Sequence, residues 1–180
     1  MTIDIATAYS KYKFLGYEFL TWLWFVMEND PSLLAAPDQG VNAVNISHRM
    51  VLENPTMDRI ERITAKGDPA NFDTGMLSLQ QGALITEMGM VFKGDGHEWR
   101  FTLKGENLSV SNLKTPPTAP IETSEDVESA VLEKAYLLDQ VMTAVDRMFQ
   151  TFVKQRLSVD WPNRIVPEIN RWIESFRQFL

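Results

Sequence analysis

The chain has 180 residues, of which 44% are hydrophobic and 23% charged. That is enough for one full-sized domain, or a domain with a helical appendage, and for a core that needs no staples. There is no cysteine, which excludes disulfides, thiolate metal sites and cysteine nucleophiles and suits a reducing cytoplasm. The net charge of −7 argues against a protein that coats nucleic acid through bulk positive charge.

The first element is announced by FLGYEFLTWLWF, residues 14–25, in which Leu15, Phe19, Trp22 and Val26 recur at helical spacing. Leu20, Trp24 and Phe25 widen the stripe to most of the circumference, the pattern of a helix buried on several sides. Phe19, Trp22, Trp24 and Phe25 are therefore expected to form a core spine or a contact with a second subunit. The apolar run from Phe14 to Met27 is 14 residues and includes Gly16 and Glu18, too short for a membrane crossing of about 20 residues. A signal peptide is not expected either, because no small-residue cleavage site precedes the acidic stretch that follows. Asp30-Pro31 ends the helix.

After a loop, Val44–Glu53 alternates in the manner of a half-buried strand. Arg59–Lys66 reads as a second strand whose out-of-phase Ile60 and Ile63 suggest a bulge or an edge. Asp73–Gln81 reads as a short helix capped by Asp73 or Thr74. The strand Leu84–Phe92, the turn Gly94-Asp95-Gly96, the strand Trp99–Leu103, the turn Gly105-Glu106-Asn107 and a strand starting at Leu108 make an antiparallel meander with one apolar face. Thr115 to Pro120 is a stiff linker. Thr123 to Asp126 then opens a long helix, in which Val131, Ala135, Leu138, Met142, Val145, Phe149 and Phe152 repeat at 4 and 3. Trp161-Pro162 breaks it. Ile165, Ile169, Trp172, Phe176 and Phe179 predict a final helix, which either folds back as a hairpin or reaches with its neighbour toward a second chain.

Little in the chain carries chemistry. Asp73-Thr74-Gly75 matches the aspartic-protease triplet, but that chemistry needs two carboxylates, and the triplet is better read as a helix start. His48 falls on the apolar face of a strand. His97 falls in a turn beside Asp95 and Glu98, a poor metal site. Neither a phosphate-binding glycine loop nor a nucleophile elbow is present. The expectation is a non-catalytic protein without cofactor or metal. Charge is uneven: residues 1–139 hold 11 Lys/Arg against 20 Asp/Glu, residues 140–180 hold 6 against 4. Phosphate contacts, if made, are therefore expected from Arg147, Lys154, Arg156, Arg164, Arg171 and Arg177.

The segment Phe14-Leu15-Gly16-x-Glu18-Phe19-Leu20-Thr21-Trp22-Leu23-Trp24 resembles one in the longer, divergent members of the RdgC recombination-associated family. The likeness continues in pattern through residues 81–92, the Trp99–Leu103 strand and the helix after it, over roughly 14–153. The resemblance implies a non-enzymatic, dimeric, ring-forming protein that binds duplex DNA without sequence preference and restrains recombinase loading. No DNA-contacting residue of the family can be matched to a position here.

The expected architecture is α+β: a sheet region over 1–115 covered by the first helix, a proline-rich linker over 116–122, and a helical region over 123–180 that packs with the sheet as one unit. The expected partners are duplex DNA and a second copy of the chain. An accessory subunit that docks on another protein without binding DNA is the alternative. The expected location is the cytoplasm.

Overall fold

The protein is described by a computed structural model covering residues 5–55, 60–67 and 72–176. Its elements run α1 (Ile5–Asn29), β1 (Ala43–Pro55), β2 (Ile60–Lys66), α2 (Asp73–Gln80), β3 (Leu84–Gly94), β4 (His97–Lys104), β5 (Val110–Lys114), α3 (Ser124–Arg156) and α4 (Val166–Ser175). The strands form one antiparallel sheet in the order β2-β1-β3-β4-β5. The fold is therefore α+β, with the expected meander extended by the hairpin β1–β2. Of the two alternatives for β2, a bulge or an edge, the structure has the edge: β2 is the outermost strand and its pairing with β1 is continuous.

Strand alternation decides which face of the sheet is covered. Val44, Ile46, Met50, Leu52, Met88, Met90, Phe92, Trp99, Phe101 and Leu103 are buried and join the helices in one hydrophobic cluster. Alpha-1 lies in the middle of it. Phe19 and Trp22 meet Phe152 at 5.4 and 5.6 Å between ring centroids, and Trp24 meets Phe72 at 6.0 Å and Trp172 at 5.3 Å. Phe25 is half-buried against Trp172. A helix apolar nearly all round is thus enclosed by its own chain, with sheet, α2, α3 and α4 each taking one side.

Buried indoles need acceptors. Trp22 donates to Gln155, Trp99 to the Leu137 carbonyl, and Trp24 and Trp172 both donate to the Glu28 carboxylate, at 2.6 and 2.9 Å. One glutamate thereby ties the end of α1 to α4. Gly16 explains itself by contact: a Cβ there would lie 1.6 Å from the Gly105 carbonyl oxygen. Alpha-1 crosses the β4–β5 turn backbone to backbone, and no side chain fits between them.

Several expectations need correction. Alpha-2 is flanked by Phe72, with Asp73 inside its first turn and no side-chain cap. At α3, Asp126 accepts from the Thr123 N–H and hydroxyl and from the Glu122 N–H; these bonds, Thr123 first, hold its carboxyl below the usual range. The helix then runs 33 residues, roughly 50 Å. Its buried row is Ala130, Leu137, Val141, Ala144, Val145, Met148 and Phe152, whereas Val131, Ala135, Leu138 and Met142 are exposed. Spacing alone could not choose between two adjacent apolar rows. The alanines permit close approach, and the indole of Trp99 on the Leu137 carbonyl fixes the rotation. The break near Trp161-Pro162 takes the form of a π-turn over Trp161–Ile165, the wider winding that absorbs irregular sequence. Alpha-4 turns back onto α1 and α2, with Trp172 on Trp24 and Gln80 donating to the Ile173 carbonyl. It therefore neither forms a simple hairpin with α3 nor reaches away. Phe179 lies outside the described residues.

Candidate nucleic-acid interface

The other face of the sheet carries no helix among the described residues. Its composition follows from register, because paired residues share a face. Lys66 pairs with Arg49, Thr64 with Val51 and Arg62 with Glu53. Val51 pairs with Glu87, and Glu87 with Lys104. Asn45 pairs with Val91, Val91 with Arg100 and Arg100 with Lys114. Lys93 pairs with Glu98. Val51 and Val91 are buried yet stand outside the core cluster; the long charged side chains around them supply the cover.

This face gathers seven cations, Arg49, Arg62, Lys66, Lys93, Arg100, Lys104 and Lys114, against three carboxylates, Glu53, Glu87 and Glu98, a balance of +4. The remainder of the chain then holds ten against 21, or −11. The carboxylates are spent on orienting guanidinium groups. Glu87 takes Arg49 at 3.2 Å on one oxygen and Arg62 at 3.0 Å on the other. Glu98 takes Arg100 and Lys93, and its bond to Arg100 is the main cause of its lowered pKa. Lys66, Lys104 and Lys114 are exposed and have no ion-pair partner among the described residues. The sheet is about 19 Å across at roughly 4.8 Å per strand step. It can meet phosphates on both sides of a groove about 12 Å wide.

The cations chosen from the sequence lie elsewhere, and most are already engaged. Arg147 donates to the Leu34 and Ala35 carbonyls and so bolts down the loop after α1; burial lowers its pKa, opposed by Asp38. Arg156 pairs with Glu18 at 2.9 Å and covers Trp161. Arg164 pairs with Asp160 and Glu168. Arg171 donates to the Pro167 carbonyl. Lys154 is exposed, and Arg177 lies outside the described residues.

The readable signal for the sheet face is the polar phase of each strand, in which Arg49, Arg100 and Lys104 alternate with core residues. His97 is exposed at the start of β4 with its ring 5.9 Å from Trp99. His48 falls in β1, with its side chain outside the described part of the structure. No group of three potential metal ligands exists among the described residues, and none of their helices is long and apolar enough to cross a membrane. Asp73-Thr74-Gly75 opens α2, where Gly75 packs on Trp24 and Leu52. Comparison with protein-family models, curated proteins and solved structures finds no match.

Proposed function

We propose that this is a non-catalytic, RdgC-like DNA-associated protein of the cytoplasm that holds duplex DNA against the open face of its sheet without reading sequence. The concentration of seven cations on one face of an acidic chain carries this reading. Lysine and arginine on phosphates supply affinity that is blind to sequence. Among the described residues the face displays no exposed aromatic side chain, Phe101 being turned into the core, so it offers no platform for stacking unpaired bases, which favours duplex over single strand. The strong acidity elsewhere orients the approach, because like charge turns the remaining surface away from DNA. Affinity for a short duplex should fall steeply between roughly 50 and 200 mM salt. An electrophoretic shift series reads this, and absence of binding even at about 50 mM salt overturns the reading.

Self-association belongs to the same proposal and is supported by α3, since α1 is enclosed by its own chain. Val127, Val131, Leu138 and Met142 form an exposed apolar row on the amino-terminal half of α3, with Leu132 and Tyr136 beside it. Monomeric proteins seldom leave so much apolar surface in one place. Sedimentation at micromolar concentration should show a dimer that Val131→Glu returns to monomer; a monomer in the unmodified protein counts against it. The same row favours a second reading, an accessory subunit that docks on another protein. A partner that stays bound after nuclease treatment, with no duplex affinity at low salt, would select it.

A further inference from the structure

Two irregularities of the sheet flank one groove on its open face. On β1 the ladder to β3 jumps from Ile46 opposite Met90 to Met50 opposite Met88, so that Ser47 and Arg49 arch out of register. On β5 the ladder to β4 jumps from Ser111 opposite Thr102 to Lys114 opposite Arg100, and Asn112 takes a left-handed φ of 52°. Bulges of this kind re-aim side chains. Between them, Gly89 forms the floor, where a Cβ would lie 2.2 Å from the Ser47 hydroxyl oxygen.

The result is a groove of about 340 Å³ whose polar lining is Ser47, Arg49, Arg100, Thr102, Asn112 and Lys114, over Gly89 and Phe101, within the size range of small-ligand sites, about 300–1,000 Å³. Its lining holds three cations, two hydroxyls and a carboxamide, and no carboxylate. Glu87 engages Arg49 through Nη2 and Glu98 engages Arg100 through Nε, which leaves further N–H groups on both. Thr102 is only 8% exposed, and its hydroxyl has no hydrogen-bond partner among the described residues. That hydroxyl is not among the fully buried, unpartnered polar atoms and so opens to the groove, where neutral donors beside cations suit an acceptor-rich anion.

We propose that this groove is a phosphate site: one phosphate group enters it, bound by Arg49, Arg100 and Lys114, with Ser47, Thr102 and Asn112 as neutral donors. The inference deepens the reading of the sheet as a DNA-facing surface, and rests on it for the source of the phosphate. In that case the groove clamps one backbone position while Lys66 and Lys104 make looser contacts. A free phosphorylated small molecule would offer the same chemistry.

The test is amide NMR of the full chain titrated with inorganic phosphate at constant ionic strength, with duplex DNA and a nucleoside monophosphate as separate arms. Shifts at Gly89, Thr102 and Asn112 should saturate, and Arg100→Gln with Lys114→Gln should weaken phosphate about tenfold or more. Lys66→Gln with Lys104→Gln should leave phosphate affinity unchanged while weakening duplex. Shifts that grow without saturation, or appear equally around all seven cations, overturn the phosphate site even if DNA binds. Saturable phosphate binding without duplex binding at about 50 mM salt retains the site and overturns the DNA reading, and the monophosphate arm then identifies the source.

Discussion

Lys66→Glu, Lys104→Glu and Lys114→Glu together are expected to lower duplex-DNA affinity by about 10²–10³-fold at 0.1 M salt, because each lysine contributes close to one released counterion. The slope of log K against log salt should shrink by about 0.9 for each lysine replaced. The three are exposed, have no ion-pair partner among the described residues and stand on three different strands. Their replacement turns the face from +4 to −2 without removing a bond that the sheet uses. Exposed substitutions of this sort change stability by about 0.5 kcal/mol or less, so circular dichroism should be unaltered. Lys154→Glu with Arg171→Glu is the counter-experiment and should cost less than about threefold, since those residues stand on α3 and α4, the helices that join the core, and not on the open face of the sheet. Fluorescence anisotropy on one labelled duplex compares all three proteins. Equal effects in the two variants would transfer the interface to the helical end.

Trp22→Ala should lower the unfolding free energy by about 4 kcal/mol, within the range for large aromatic truncations in a core. Trp22 is fully buried between Phe19 and Phe152. Its truncation would remove that packing and strip Gln155 of its donor. Neighbours cannot collapse into the space, because α1 is held at Gly16 against the Gly105 carbonyl and at Glu28 against Trp172. Val159→Ala is the control: Val159 is 80% exposed, stands outside the apolar row of α3, and its truncation should cost about 0.5 kcal/mol or less. Urea unfolding measures both, and comparable costs would mean that α1 is not the centre of the core.

Much of this fold is legible in residue order. The alternation of Val44 to Leu52 and of Trp99 to Leu103, with glycines at 94, 96 and 105, dictates strands and turns, and the long helix expected between Thr123 and Trp161 appears over 124–156. The errors have a common cause. Periodicity locates an apolar row but not what faces it, so the row through Val131 and Met142 passes for core while Ala130, Leu137 and Val141 do the burying. Charge summed along the chain fails in a similar way. A strand sends every second side chain to the opposite face, so the cations of five strands assemble on one surface while the acids of loops and helices swamp them in any linear count. That is why the region with a balance of −9 contains the basic face.

The enclosure of α1 has a consequence for biosynthesis. The tryptophan-rich helix leaves the ribosome well before the Trp172 side chain that bonds Glu28, which stands 144 residues further along. At about 5–20 residues per second, the apolar cylinder waits roughly seven to thirty seconds for its last cover. During translation the uncovered apolar surface makes the nascent chain a ready substrate for chaperones.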